Sequence, residues 1–395
     1  MERLPPPLHI LHGRDAKKMA ALLSGNHALV HESGLLRHPL ARLEIRCVGV
    51  ARSPPRHGPP TVAMSGHPSP ARQRGGPVIS AYLKSDEDHA AGRSTGLVLA
   101  RESASCLRDA TQAAWHGRGG SRWRLAHWMM RRFAGAAGTP LAEDGLLLFR
   151  IATPGGPAQI FIRRNQSDLL ILWQIFLRRF YELNDTYQLT HPLRTLDTVV
   201  DLGGNTGLAA AYLSSRYRPR RLLTAEPIAE SRAVLRRNAH LSRVPWIIDE
   251  RAVTGHGEGP ELEFAVSAFW DTCTAVPEVH ELRSTRPWRL ENSLALPRRT
   301  VEAVDVSSLL DQHDIDHIDL LKVDIEGSEA AVFATPQPWM NRTDRIVLEV
   351  HDKYIDGDTV RATMHEAGFC RIPPRVPDPA GFNPVELYVR RGVPA

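Results

Sequence analysis

The sequence predicts an α/β protein whose C-terminal part is built on a mostly parallel sheet. From Thr198 onward, short apolar runs alternate with helical stretches. The runs are apolar almost throughout, which is typical of parallel strands covered by helices on both faces. A glycine-rich turn follows the first run, and ligands bind to α/β sheets at such strand ends.

Composition divides the 395-residue chain into two unlike parts. Residues 1–140 carry 20 Lys+Arg and 9 Asp+Glu, a net charge of +11, whereas the remainder carries 29 and 35, a net charge of −6. The four cysteines lie far apart and form no C-x-x-C pair, which excludes a disulfide scaffold or a zinc ribbon. Neither a secretory signal nor a membrane-spanning apolar run is found, so we expect a cytoplasmic protein.

Residues 1–140 are predicted to be a low-complexity, basic and largely disordered region. Residues 52–77 are dense in proline and glycine, which sustain neither helices nor central strands. The basic and aromatic stretch Arg118–Arg132 contains Trp123 and Trp128. It is either part of a disordered arginine-rich tail or a contact for nucleic acid or an anionic surface.

Residues 141–190 are predicted to form a hairpin and a helix that lead into a domain over 191–395. Leu146–Ile151 and Gln159–Arg163 flank the turn signal Pro154–Pro157, and Asp168–Tyr181 follows as an amphipathic helix. Val385–Val389, with no helix after it, is predicted as an antiparallel edge strand. Further strands are predicted at Thr198–Leu202, Arg221–Ala225, Trp246–Ile248, Glu261–Val266, Ile318–Val323 and Arg345–Val350. Helices are predicted at Thr206–Tyr217, Ile228–Leu241, Ser307–His313, Ser328–Thr335 and Asp358–Ala367.

The first chemical signal is the turn after the first strand. It holds the candidate binding residues Asp201, Gly203, Gly204, Asn205 and Gly207. Glycines allow positive φ and let a ligand approach the backbone, and N–H groups at a helix start suit a carboxylate or phosphate. The turn has neither the G-x-G-x-x-G dinucleotide pattern nor a G-K-[ST] phosphate cradle.

The second strand ends in another acid, Glu226, followed by Pro227. An acid in this place accepts both hydroxyls of a ribose. Since the loop need not hold a pyrophosphate, an adenosine ligand with a short charged tail is expected, and S-adenosylmethionine fits this description. The alternative for Glu226 is a surface glutamate without a ligand.

The second chemical signal surrounds a later strand end. Lys322, Asp324, Glu326 and Glu329 place one cation and three acids there. Such a group can orient a hydroxyl, remove its proton or hold a divalent ion. Lys322 could instead form a structural ion pair, and Glu329 could be only a favourable charge at a helix start.

These residues resemble the FkbM family of S-adenosylmethionine-dependent methyltransferases over about residues 160–355. The run Lys322-Val323-Asp324-Ile325-Glu326-Gly327-Ser328-Glu329 matches the family's K-[IV]-D-[VI]-E-G-x-E pattern, and Glu349-Val350-His351 resembles its E-x-H ending. The resemblance implies a class I methyltransferase (Rossmann-like) fold, with a seven-stranded sheet, helices on both faces and an antiparallel last strand. It also implies O-methylation of a small molecule or sugar.

Carried over by position, the loop residues would line the methionine end of the cofactor, and Glu226 would hold its ribose. The position at which the methyl group is transferred would be faced by Asp324, Lys322, Glu326 and His351. Asp324 or His351 could act as the base for a hydroxyl nucleophile. A Mg²⁺ ion bound by both Asp324 and Glu326 is an alternative, but no metal site is predicted.

Two other functions stay open. The basic N-terminal region would suit a nucleic-acid methyltransferase, although the Asn/Asp-Pro-Pro-aromatic motif of amino-group methylation is replaced here by Asp324–Gly327. A non-catalytic protein that binds S-adenosylmethionine is the second, because a fold does not determine a function. Trp270, His280, Trp288 and His256 are candidates for an acceptor pocket.

Overall fold

The computed structural model describes residues 107–133, 145–266, 298–352, 355–376 and 384–395. All of them belong to one unit, Gly76–Ala395. They form an α/β fold with mixed sheets, which confirms the predicted class. The predicted strands and helices of residues 198–266 and 298–367 are present, most with bounds shifted by one or two residues.

The main sheet has seven strands. In their hydrogen-bonded order they are β11 (Phe369–Ile372), β12 (Val385–Arg390), β10 (Arg345–Glu349), β9 (Leu320–Val323), β3 (Thr198–Leu202), β4 (Arg221–Ala225) and β5 (Trp246–Asp249). β12 runs antiparallel to both of its neighbours, and the other pairs are parallel. The sheet is therefore mixed, with the antiparallel last strand that the resemblance implies. The prediction that this strand forms the sheet edge is wrong, because β11 pairs outside it.

Helices cover both faces of the main sheet. They are α1 (residues 107–116), α2 (Ser121–Phe133), α3 (Gln166–Leu172), α4 (Leu183–Thr186), α5 (Leu208–Tyr217), α6 (Ala229–Leu241), α7 (Val306–Gln312), α8 (Glu329–Val332) and α9 (Gly357–Glu366). A short 3₁₀ turn, Pro338–Arg342, precedes β10. None of the described helices is long and apolar enough to cross a membrane.

The strands are apolar almost throughout because each of their faces is buried in a different core. Val199 and Leu320 contribute to one hydrophobic cluster, whereas their neighbours Val200 and Leu321 contribute to the other. Successive side chains of a strand point to opposite faces, so a sheet with two cores needs apolar residues at consecutive positions. This packing leaves the strand ends as the places for polar side chains.

Two smaller sheets lie beside the main one. The predicted hairpin is present as β1 (Leu147–Thr153) and β2 (Gly156–Ile162), which pair antiparallel. A three-stranded sheet contains β6 (Ala252–Thr254), β8 (Arg298–Asp305) and β7 (Glu261–Ala265). The predicted strand Glu261–Val266 therefore lies outside the main sheet.

The predicted helix Asp168–Tyr181 is interrupted. α3 begins at Gln166, where the Asn165 side chain caps it, and ends at Leu172. A π-helical turn over Trp173–Leu177 follows and buries Ile175, Phe176 and Leu177. The extra residue of a π turn rotates the chain after it, so Tyr181 leaves the face that a regular helix would give it.

The prediction of disorder over residues 1–140 is wrong for residues 107–133, which form α1 and α2. Ala113 in α1 and Leu125 and Met129 in α2 are fully buried in the same cluster as the hairpin. The Arg118 N–H donates to Arg150 O of β1 at 2.8 Å. The high arginine content concealed a narrow apolar face, whereas residues 1–106 and 134–144 lie outside the described residues.

Met129→Ala tests whether α2 is part of the folded core. Removing this fully buried side chain should lower the free energy of unfolding by about 2–5 kcal/mol. Trp115→Ala is the control, because Trp115 is 63% exposed and its loss should change stability by less than about 0.5 kcal/mol. Urea unfolding followed by circular dichroism measures both, and equal small effects would show that α2 does not belong to the core.

Candidate active site

The candidate site lies at the carboxyl ends of β3 and β9. After β3 the chain continues to β4 and β5 on one side, whereas β9 and β10 lie on the other side. Ligands of α/β proteins bind in the crevice at such a switch in strand order. The register pairs Asp201 with Lys322, so both groups of predicted site residues meet here.

A buried ion pair joins the two strands at this point. Lys322 Nζ lies 3.0 Å from Asp201 Oδ1, and both side chains are almost fully buried. The same ammonium donates to the backbone oxygens of Gly203 at 2.7 Å and Leu202 at 3.3 Å. With its donors taken up in this way, Lys322 has the geometry of a positioning residue rather than of a proton carrier.

The charge of Lys322 is maintained by its surroundings. Burial lowers the pKa of this ammonium, but the carboxylates of Asp201 and Asp324 outweigh burial and raise the pKa above its ordinary value. Asp324 Oδ2 lies 3.8 Å from Lys322 Nζ, beyond hydrogen-bonding distance. Lys322 therefore neutralises Asp201 fully and Asp324 only in part.

The glycines after β3 accommodate the protein's own chain. Gly203 has φ +81°, and a Cβ there would lie 1.9 Å from the backbone oxygen of Asp324. A Cβ on Gly204 would lie 2.1 Å from Thr224 Oγ1. The expected positive φ is confirmed at Gly203, but the space beside both glycines is filled by neighbouring strands and not open to a ligand.

The N–H groups of this loop are also bonded within the chain. Gly203 and Gly204 donate to Ala225 O at 3.1 and 2.9 Å, and Gly207 donates to Gly204 O at 2.8 Å. The Asn205 N–H donates to Glu226 Oε2 at 2.8 Å. These four N–H groups are therefore not free for a carboxylate or phosphate. The prediction itself concerns the N–H groups at the start of the helix, which begins at Leu208, and these contacts do not test it.

Glu226 lies at the end of β4, beside the loop. Its two oxygens each accept one backbone N–H, from Asn205 and from Ile228, both at 2.8 Å. Burial raises the pKa of Glu226 to about 7, although these bonds and the charges of Lys322 and Arg232 oppose the rise. Pro227 follows directly, and its carbonyl accepts from the Arg232 guanidinium.

The turn after β9 is held by Glu329. Glu326 and Gly327 have φ +55° and +102°, so the chain reverses through the left-handed region. The fully buried carboxylate of Glu329 accepts the N–H groups of Ile325 at 3.1 Å and Gly327 at 2.9 Å. Glu329 is therefore more than a favourable charge at a helix start, because it fixes the turn that presents Asp324 and Glu326.

His351 and Glu349 reach the same place from the end of β10. His351 Nδ1 lies 3.0 Å from Glu329 Oε1, whereas its Nε2 lies 3.6 Å from Glu326 Oε2 and 3.9 Å from Glu349 Oε1. Burial lowers the pKa of His351, but the surrounding carboxylates outweigh burial and raise the pKa well above its usual value. Burial, then the charge of Asp324, raises the pKa of Glu349 to about 8.

Tyr181 lies beside this group of acids and has no motif that could reveal it. The residue is only 4% exposed. Burial raises the pKa of Tyr181, and the charges of Asp324, Glu349 and Asp201 raise it further. The E-x-H run in the sequence indicates Glu349, whereas the position of Tyr181 depends on the π turn that precedes it.

The structure thus brings together the candidates of the two motifs. The loop residues, Glu226 and the residues at the ends of β9 and β10 surround one switch point. His256 is exposed and lies 4.0 Å from Asp305, in a different part of the fold. Trp270, His280 and Trp288 lie outside the described residues.

Part of the chain is similar to known methyltransferases. Residues 201–370 match the model of the methyltransferase FkbM domain. The chain is 26% identical over 183 residues to "Methyltransferase 1" of Beauveria bassiana strain ARSEF 2860. The aligned residues cover 43% of this chain and 71% of that protein. A crystal structure of methyltransferase FkbM from Methylobacillus flagellatus KT matches 56% of this chain with 13% identity and a TM-score of 0.32. The match spans about half, 53%, of that chain.

The fold, the acids at the switch point and the matched domain define a methyltransferase of the α/β class. Within that class, residues 201–370 are similar to the methyltransferase domain of the FkbM family. This match begins at Asp201, later than the resemblance seen in the sequence, and it ends in β11.

Gly203→Ala tests the close packing of the loop on β9. A left-handed φ costs an alanine about 1–2 kcal/mol, and displacing the Asp324 carbonyl should cost a further 1–3 kcal/mol or so. Gly368→Ala is the matched control, because Gly368 has φ +87° and open space around its Cα. Chemical unfolding should show the larger loss for Gly203→Ala, and equal losses would contradict the packing described.

The raised pKa of Glu226 makes a prediction about pH. Between pH 4.5 and about 7 the folded state keeps a proton that the unfolded chain has lost. The bound proton stabilises the folded state. Its contribution to the free energy of unfolding is therefore complete below pH 4.5 and disappears as the pH rises through 7. From pH 5 to 8 the stability of the wild type relative to Glu226→Gln should fall by on the order of 1–3 kcal/mol.

Urea titrations at each pH measure this difference. Glu366→Gln, on the exposed surface of α9, is the control and should show a constant offset from the wild type. A constant offset for Glu226→Gln as well would contradict the buried, raised pKa of Glu226.

Proposed function

We propose that this protein transfers the methyl group of S-adenosylmethionine to a hydroxyl oxygen of a small molecule or sugar. The observation that carries the proposal is the arrangement at the switch point. Glu226 stands on the β4 side, and the carboxylates of Asp324, Glu326 and Glu349 stand on the β9–β10 side. A nucleoside and a polar acceptor would thus have separate recognition groups on either side of one loop.

Glu226 fits the ribose of such a donor. Each carboxylate oxygen has two lone pairs, and each accepts one backbone N–H in this structure. One acceptor position on each oxygen remains, which matches two adjacent hydroxyl donors. Hydrogen bonds to the charged carboxylate would favour its ionised form and would oppose the effect of burial on its pKa.

The other loop residues would border the methionine end of the donor. S-adenosylmethionine supplies a methyl group carried on a positively charged sulfur. Asp324 and Glu349 are each about one quarter exposed, so their charges face the crevice and not the core. The ion pair of Lys322 with Asp201 holds the neighbouring backbone in place.

The carboxylates at the end of β9 are the groups placed to take a proton from an acceptor hydroxyl. His351 is less suited to this, because its raised pKa keeps the imidazole protonated at neutral pH. Alignment of the two reactants supplies the larger part of catalysis, about 7–11 kcal/mol, whereas a base contributes about 10²–10⁴-fold. The turn fixed by Glu329 provides that alignment.

The charge of the site also favours a small acceptor over nucleic acid. Asp324 and Glu326 would repel a phosphate backbone near the methyl-transfer position. Glu349 would add to this only above its pKa of about 8. A protein that only bound the donor would not need these three acids at the open end of the crevice. Both alternatives predict different results in the experiments below.

Calorimetric titration of S-adenosylmethionine into the full-length protein tests the donor assignment. Glu226→Gln should weaken binding about 10- to 100-fold, because two hydrogen bonds to a charged group become neutral ones. Glu366→Gln, on the surface away from the switch point, should bind like the wild type. Absence of binding by the wild type, or equal binding by Glu226→Gln, would refute the assignment.

Turnover is tested with a donor that carries a deuterated methyl group and a panel of sugars, polyols and phenols. Mass spectrometry should find a product with one added labelled methyl. Asp324→Asn should keep donor binding but lose turnover by about 10²–10⁴-fold. Methylation of oligonucleotides alone would favour the nucleic-acid function, and donor binding without any product would favour the non-catalytic one.

A further inference from the structure

We propose that Asn238 of α6 positions the loop after β3, residues 203–207, for the methyl donor by tying that loop to the hairpin. The proposal deepens the proposed methyl transfer and rests on it. Asn238 is only 1% exposed, and its side chain is bonded to backbone that lies 32 and 77 residues away in the chain. Neither of these segments belongs to α6, so one side chain joins three elements of the fold.

The side-chain amide of Asn238 uses both of its N–H donors. Its Nδ2 donates to Thr206 O at 2.7 Å and to Phe161 O at 3.0 Å, and its Oδ1 accepts the Phe161 N–H at 2.6 Å. An asparagine amide has two donors on its nitrogen and only acceptor positions on its oxygen. Two carbonyls at one end and an N–H at the other therefore fit this side chain, whereas an apolar one would leave buried backbone groups without these bonds.

On the hairpin, Asn238 takes the place of a neighbouring strand. β2 pairs with β1 in a two-stranded sheet, so its other edge has no strand beside it among the described residues. In an antiparallel pair, every second residue turns its N–H and carbonyl away from the partner strand. Phe161 of β2 bonds both groups to Asn238, as it would to a peptide group of a third strand. The hairpin thereby fixes the orientation of this amide.

On the loop, two hydrogen bonds hold adjacent residues from different elements. The Thr206 carbonyl accepts from Asn238 of α6. One residue earlier, the Asn205 N–H donates to Glu226 Oε2, after β4, at 2.8 Å. Asn205 has φ +46°, in the left-handed region that residues other than glycine adopt at a cost. The two bonds therefore stabilise a backbone conformation that the loop would not keep as readily without them.

The donor is affected through Glu226, the residue proposed to bind its ribose. Because Glu226 Oε2 accepts the Asn205 N–H, a displacement of the loop changes which acceptor positions of this oxygen stay open. Shortening Asn238 would remove a bond from the carbonyl of Thr206, a fully buried residue, and favour such a displacement. Asn238 acts through the backbone of the loop, so it is a positioning residue and not a catalytic one.

This link makes a segment outside the matched methyltransferase domain part of donor recognition. Phe161 precedes residues 201–370, whereas Thr206 and Asn238 lie within them. The hairpin is itself held by the hydrophobic cluster that it shares with α2 and α5. Donor affinity is therefore expected to depend on the packing of the N-terminal elements.

Hydrogen exchange followed by mass spectrometry tests the link in the full-length protein without any donor. Asn238→Ala should speed the exchange of peptides that contain residues 203–207 by about tenfold or more, because the loop opens more often. Peptides from β9 and β10 should exchange as in the wild type. Unchanged exchange in the loop would overturn the proposal.

Asn238→Asp is a second variant that keeps the size of the side chain. Its carboxylate still accepts the Phe161 N–H but cannot donate to Thr206 O. The loop should again exchange faster than in the wild type at neutral pH. Protonation restores one O–H donor, so the difference from the wild type at the same pH should shrink as the pH is lowered. A difference independent of pH would contradict the role of the donated bond.

Asn184→Ala is the matched control. Asn184 of α4 also binds the backbone of another segment, donating to Leu193 O and accepting the Leu193 N–H, both at 2.8 Å. This variant should lose stability in urea unfolding, yet its loop should exchange like that of the wild type. Loop exchange as fast as in Asn238→Ala would indicate a general loss of stability and overturn the proposal.

Donor binding and kinetics test the consequence for the site. Asn238→Ala should raise the Kd and the KM for S-adenosylmethionine by about tenfold or more, while kcat at saturating donor stays within about threefold of the wild type. A variant that had only lost part of its folded population would show a lower kcat and an unchanged KM. That result would overturn the positioning role, and Asn184→Ala should keep the wild-type KM.

The two measurements separate this proposal from the proposed function. If the wild type does not bind S-adenosylmethionine, the proposed function is refuted, and loop exchange still decides whether Asn238 holds the loop. If the wild type binds the donor and Asn238→Ala binds it equally well, the positioning role is refuted and methyl transfer stands.

Discussion

The structure depends on one buried ion pair, between Lys322 of β9 and Asp201 of β3. A charge without a partner in this position would cost several kcal/mol, so the two strands must keep the register that pairs them. The same ammonium binds the carbonyl of Gly203 and thereby sets the path of the loop. The loop and the turn after β9 pack so closely that a side chain at position 203 has no room.

This pair also decides how charge is distributed at the site. Because Lys322 pairs with Asp201, it compensates the charge of Asp324 only in part. His351 compensates part of it and is oriented by the buried Glu329. By the proposal above, a positively charged methyl donor would suit such an environment better than an anionic nucleic-acid backbone.

The N-terminal elements belong to the same machinery. α1, α2, the hairpin and α3 share one hydrophobic cluster with α5 and with one face of the main sheet. Tyr181, whose pKa is raised by the charges of Asp324 and Glu349, lies outside the segment matched by the family domain, residues 201–370. Elements that precede that domain therefore contribute a buried residue near the candidate site.

The sequence by itself determined the α/β class, the strand ends that carry acids and the resemblance to the FkbM family. These features are local: apolar runs, a glycine turn and the spacing from Lys322 to Glu329 all lie within short stretches of chain. It also contained Glu349 in the E-x-H run, but its importance depends on the distance to Asp324 across two strands. Only the tertiary structure could show that the N–H groups of the loop are hydrogen-bonded within the chain and that Lys322 positions the backbone. The same holds for the proximity of Tyr181 to the acids. Each of these depends on contacts between residues far apart in the chain, which strand order and packing decide and local patterns do not encode.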